Sequence, residues 1–120
     1  MDPEKTTAAA DTKATYYELP VQIAKFVDDS FPGWVKCELV DAEGRKHEFV
    51  DKYPYFTAEM LDENSCYPVS GSIACEALFQ WEDDQQRKLT RVSTAGPSPI
   101  ESTEGLSEFV VLSESLHRPA

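Results

Sequence analysis

The chain has 120 residues, enough for one domain with a single core, and its 41% hydrophobic and 28% charged content are ordinary for a globular protein. Its net charge of −11 is not ordinary: 22 acids outnumber 11 scattered Lys and Arg, which argues against nucleic-acid binding and against an anionic membrane surface, since both need clustered cations. No apolar run reaches the roughly 18 residues of a membrane span, and the acidic N-terminus lacks the apolar stretch of a secretory signal. Three cysteines, an odd number with no CxxC pair, fit a reducing compartment, so the expected location is cytoplasmic.

Residues 1–14 are small and polar and are expected to form a disordered tail, leaving a single domain over 15–116 and a frayed end over 117–120. From Tyr16 to Asp28, the residues Tyr17, Leu19, Val21 and Ile23 alternate at period two, although Ile23 to Val27 also suits a short helix starting near Pro20. The β-branched and aromatic content favours a strand, with Pro20 at an edge or a bulge because it has no N–H to donate. Asp28-Asp29-Ser30-Phe31-Pro32-Gly33 reads as a turn.

The stretch from Trp34 to Tyr55 organises the chain. Two alternating runs, about 35–41 and 45–53, flank Ala42-Glu43-Gly44, where Gly44 supplies the left-handed residue of a three-residue hairpin loop. That loop sets Asp41 opposite Arg45, Leu39 opposite His47 and Cys37 opposite Phe49. Pro54 then ends or bends the second strand. Thr57 to Asp62 fits one helical turn capped by Thr57, or a brief strand. Residues 62–68 read as loop and Ser70-Gly71 as a turn.

A second hairpin follows. Ile73, Cys75, Ala77, Phe79 and Trp81 alternate against Ala74, Glu76, Leu78 and Gln80; residues 82–86 form a polar tip, and Lys88 to Thr94 returns. Three residues, Pro97, Pro99 and Gly105, mark 95–106 as a long connection. Glu108 to Ser113 is a last strand, with Val110 and Leu112 on one face and Phe109 and Val111 on the other. The whole predicts an all-β fold, a small partly open β-barrel or sandwich of about six mostly antiparallel strands, with at most a short helical turn near 57–62.

Catalytic chemistry has little to stand on. Cys37 and Cys75 share the phase of Val35, Leu39 and Ile73 and should face the core, whereas Cys66 lies in a polar loop beside acids that raise a thiol pKa. Cys37, Cys66, Cys75 and His47 lack the paired spacing of structural zinc sites, so no metal is expected. A Ser-His-Asp or Cys-His machine would have to use His47, because His117 sits in the expected frayed end; opposite Leu39 near the turn, His47 reads better as a half-exposed cross-strand packer. No GxSxG, Walker, dinucleotide or calcium-loop pattern is present, and no cofactor is expected.

Surfaces remain. Tyr53, Tyr55 and Phe56 cluster at a strand end and Tyr67 follows, with Asp51, Glu59, Asp62 and Glu63 nearby. Glu82, Asp83 and Asp84 form the densest acidic run. These seven residues, Tyr53, Tyr55, Phe56, Tyr67, Glu82, Asp83 and Asp84, are the candidate contacts for a basic protein partner. The expected function is a non-catalytic protein-binding module: an inhibitor, an immunity-like protein or an accessory subunit. The alternatives are a small enzyme using His47 and carboxylates, and a barrel that binds a small ligand.

Overall fold

The computed structural model describes residues 16–118, and within them each alternating run forms a strand. β1 spans Tyr16–Asp28, β2 Trp34–Val40, β3 Lys46–Lys52, β4 Val69–Glu82, β5 Lys88–Ser93 and β6 Glu108–Leu112. All six join one antiparallel sheet in the order β3-β2-β1-β4-β5-β6, curled into a half-barrel, so the sandwich alternative falls away. Residues 1–14 lie outside the described range.

The hairpin register is the expected one: Leu39 pairs with His47 and Cys37 with Phe49, while Asp41 N–H donates to Arg45 C=O at 2.9 Å and Gly44 takes φ +83°. On its outer face Glu38 lies opposite Glu48, a repulsive pair relieved on each diagonal by Lys36–Glu48 at 3.1 Å and Lys46–Glu38 at 3.7 Å. Inside, Leu19, Ile23, Val35, Phe49, Ile73 and Val92 are buried. Phe49 on β3 meets Phe109 on β6 edge-on at 5.6 Å, so the curl brings the two ends of the sheet order together. Loops cap these edges: Ala42 N–H donates to Val110 C=O at 2.9 Å and Thr103 N–H to Glu48 C=O at 2.7 Å. The open side of the barrel is thereby protected from pairing with another strand.

The long connection before β6 is built inward. Thr94 is fully buried and its hydroxyl donates to Ile100 C=O at 2.6 Å, which seats Ile100 in the core. Ser102, also buried, accepts from the N–H groups of Glu104 and Leu106.

Four expectations are corrected. First, Phe79 and Trp81 do not share the face of Ile73 and Cys75, because a bulge between Ala77 and Phe79 shifts the phase. Ala77 pairs with buried Val92, but Phe79 pairs with Arg91 and stands 55% exposed on the outer face. Second, Ser70-Gly71 is strand. Gly71 pairs with Val21, and its missing side chain admits the Phe56 backbone, whose C=O accepts from Ser72 N–H at 2.9 Å.

Third, the helical turn lies at Tyr53–Tyr55, where Pro54 presets φ, and a second one lies at Ser113–Ser115. Neither the helical turn nor the brief strand expected over 57–62 forms, because the Thr57 hydroxyl accepts from Glu59 N–H at 3.1 Å in a local turn of its own. Fourth, of the end expected to fray over 117–120, residues 119–120 lie outside the described range and His117 is paired. Glu18 and His117 exchange both backbone hydrogen bonds, at 2.7 and 3.0 Å, and the Arg118 guanidinium lies over the Tyr17 ring.

The last pairing also explains Pro20. Glu18 aims its backbone groups away from β4, so Pro20, two residues on, aims its missing N–H the same way. That direction holds a gap between the His117 bridge and the Gln22–Glu38 pair, so β1 is central in the sheet yet has a local free edge where proline is tolerated.

Candidate functional site

The seven residues predicted to meet a partner fall at two ends of the half-barrel. β3 runs from the 41–45 turn to Tyr53, so Tyr53, Tyr55 and Phe56 sit at one end. The 82–87 tip sits at the other, where the Arg87 guanidinium donates to Ala42 C=O at 3.1 Å and to Glu43 at 3.3 Å. The acidic tip is also committed internally. Asp83 accepts from the N–H groups of Gln85 and Arg87 and from Arg87 Nε at 2.8 Å. The Arg87 N–H first, then its side chain, hold the Asp83 carboxyl below the ordinary range against the opposing effect of burial. Glu82 and Asp84 remain exposed.

Of the aromatics, Phe56 is 2% exposed and belongs to the core, which removes it from any contact surface. Tyr53 and Tyr67 are half-buried against that core, and Tyr67 Oη donates to Asp62 C=O at 2.7 Å. Only Tyr55, 44% exposed, offers its ring to solvent as expected.

The dominant feature at this end was not among the candidates. Phe31 is 95% exposed on the turn between β1 and β2, and the same end carries exposed Val27 and Tyr55. Met60, 88% exposed, lies on the segment from Phe56, seated beside Gly71, to Glu63, which shares a hollow with Phe26, Val27, Asp28 and Asp29. A signal was present in the sequence: an aromatic between Ser30 and Pro32, inside a turn, has no strand face on which to bury.

The turn is braced from within. Asp28 Oδ1 accepts from Ser30 N–H at 2.7 Å, and this bond, with a further contribution from the Ser30 side chain, lowers the Asp28 carboxyl pKa. Gly33 takes φ +120°, and a Cβ there would lie 2.8 Å from the Phe26 ring, so any other residue would be strained in its backbone and would have to displace that ring. Tyr53 N–H donates to Gly33 C=O at 3.0 Å, tying the turn to the end of β3. Trp34 and Lys52, a cross-strand pair, stack at 5.8 Å beside it. Exposed carboxylates accompany these groups along the chain: Asp28 and Asp29 precede Phe31, Glu59, Asp62 and Glu63 neighbour Met60, and Glu63 lines one hollow with Asp28 and Asp29.

The residues considered for chemistry are kept apart or shut in. Cys37 and Cys75 are fully buried on β2 and β4, with β1 between them through the Ile23–Cys37 and Tyr17–Cys75 pairs. Burial first, and then the Asp51 charge, pushes the Cys37 thiol up to about 12. Burial pushes Cys75 up to about 11, against a smaller lowering by the Tyr17 N–H. Cys66 is exposed, and all three thiols are free. No three potential metal ligands converge among the described residues.

His47 is 6% exposed, not half-exposed as expected: the curl folds Phe109 over it, with ring centroids 4.8 Å apart. Its Nε2 bonds Asp41 Oδ2 at 2.8 Å, which assigns the Nε2 proton, and its buried Nδ1 meets no partner among the described residues. Burial alone would raise the Asp41 carboxyl. The bonds from His47 and from the Arg45 and Glu43 N–H groups, with the His47 charge, outweigh it and hold the pKa low.

A second exposed apolar patch lies on the outer face, where Phe79 and Trp81 stand 5.2 Å apart. Arg91 covers the Phe79 ring at 5.8 Å and pairs with Glu108 at 3.4 Å, so this patch already has cationic company. No protein-family profile, curated protein or solved structure matches the chain.

Proposed function

We propose that this chain is a non-catalytic protein-binding module that engages a basic partner through the Phe31 end of the half-barrel. One observation carries the reading: a phenylalanine 95% exposed on an internally braced turn, with exposed Asp28 and Asp29 just before it and exposed Glu63 across the hollow that these two acids line. A large side chain left in water contributes nothing to the fold, whereas rigid aromatic anchors dominate binding energy. The surrounding acids supply the charge that steers a basic protein to that anchor. No helix among the described residues is long and apolar enough to cross a membrane. Three free thiols, one of them exposed, support a reducing, cytoplasmic setting.

His47 does not favour the catalytic alternative. It is closed beneath Phe109, and its one hydrogen bond holds the 41–45 turn. The interior that a small ligand would need is occupied by Phe49, Ile23, Ile73 and their neighbours.

The test is the salt dependence of association with an isolated partner. The Debye length falls from about 10 Å at 0.1 M to about 3 Å at 1 M, so the association rate should fall steeply over that range. Replacing Asp29, Glu59 and Glu63 together by Ser should slow association at low salt. Replacing Glu82 and Asp84 by Ser, at the opposite end, should not. An association rate indifferent to salt and to the first set of substitutions would overturn the reading.

A further inference from the structure

Resting on the binding role just argued, we infer that Phe31 is a plug: it enters an apolar cavity of a folded partner whose rim carries Lys or Arg, and binding thereby closes that cavity. The inference comes from shape joined to charge. Phe31 stands 95% exposed on the turn between β1 and β2, so its ring projects from the surface and the face offered is convex there. A flat partner resting on a convex ring would leave the carboxylates flanking it unpaired, and contact with the ring alone would bury little area.

An extended peptide is the wrong shape as well. Such peptides add to a sheet edge or lie in a groove. Here the edges of β3 and β6 are capped by Thr103 and Ala42, and the turn offers no edge. A concave partner satisfies both parts at once, with the ring buried in the cavity and Asp28 and Asp29, three and two residues before it, meeting cations on the rim.

The turn is also prepared for insertion. The Ser30–Asp28 bond, the Gly33 packing on Phe26 and the Tyr53–Gly33 bond fix it before any partner arrives. Little ordering cost then remains at binding. The Ser30 N–H bond that shapes the turn also fixes the Asp28 carboxylate, so the charge and the plug come as one unit.

The test places a photoreactive p-benzoylphenylalanine at position 31 of the full chain, with a second version carrying it at position 79 on the outer face. Each is cross-linked to the partner, and the linked residues are mapped on the partner's structure. The expected result is a link from position 31 to residues lining an apolar cavity flanked by Lys or Arg. Phe31→Ala should weaken binding on the order of 10- to 100-fold, through faster dissociation, with an unchanged urea midpoint.

A link from position 31 to an unstructured or flat segment, or wild-type affinity of Phe31→Ala, overturns the plug. Links from position 79 but not 31, with salt-dependent association intact, remove the plug and leave the binding role standing. Absence of any saturable partner removes both.

Discussion

Gly71→Ala tests the close approach on which the β1–β4 core depends. A Cβ built there would lie 2.8 Å from Phe56 C=O, 2.9 Å from Ile23 Cδ1 and 3.1 Å from Ile23 Cγ1. Ordinary carbon contacts begin near 3.5 Å, so relief demands shifts of roughly half an ångström. Neither neighbour gives way easily. The Phe56 oxygen accepts from Ser72 N–H, and Ile23 is fully buried opposite Cys37 on one side and Val69 on the other. Overpacking of this kind costs about 1–3 kcal/mol. The alanine recovers about 0.4–1 kcal/mol by restricting the unfolded chain.

The expected net loss is therefore about 1–2 kcal/mol. With a urea slope near 1.5 kcal/mol/M, the midpoint should fall by roughly 1 M at constant slope. Ile23→Val, which removes the Cδ1 contact, should cost about 0.5–1.5 kcal/mol in the wild type. It should cost at least ~0.5 kcal/mol less in the Gly71→Ala background, because the two changes meet at one contact. Relief stays incomplete because the Phe56 oxygen remains. An unchanged midpoint in Gly71→Ala, or costs that add without coupling, would refute the argument that the Phe56 strand-crossing is what excludes a side chain here.

Native labelling with iodoacetamide at pH 8 should modify Cys66 rapidly and spare Cys37 and Cys75, whose buried thiols ionise only near about 12 and about 11; fast labelling of Cys75 would contradict its place inside β4. His47→Ala should destabilise by about 2–4 kcal/mol, losing the Phe109 contact and the bond to Asp41 Oδ2, and a midpoint within error of wild type would show the ring to be dispensable. The Asp41 carboxyl is lowered in the folded state, so its stabilising share is complete above its ordinary value of 3.8 and is lost as pH falls through the lower folded value. Asp41→Asn should accordingly flatten the acid limb of the stability profile below about pH 4, and an unchanged limb would exclude Asp41 as its source.

Local pattern alone determined much of this protein. Alternation at period two marked the hairpin strands, β-branched and aromatic content favoured a strand over a helix at 16–28, and Gly44 in a three-residue loop set the register from Asp41–Arg45 to Cys37–Phe49, because turn geometry and side-chain parity are local properties. The phase of Cys37 and Cys75 was readable for the same reason. Parity fails where a bulge inserts one residue, and nothing around Ala77 to Phe79 announces it; Phe79 and Trp81 changed face there. Tyr53, Tyr55, Phe56 and Tyr67 could be recognised as a cluster, but only folding sorted them into core and surface, since burial depends on what crosses overhead.

The remaining decisions were long-range. His47 became buried because the curl brings Phe109, 62 positions along, over its ring, and a residue's own neighbours carry no record of such closure. The acidic tip at 82–87 was separated from the aromatic end because sheet order and curl, not sequence distance, set which loops share an end. Composition determined that the chain is acidic; only the tertiary structure left Phe31 uncovered, by packing the turn's base onto Phe26 and Tyr53 and placing none of the described residues over its ring.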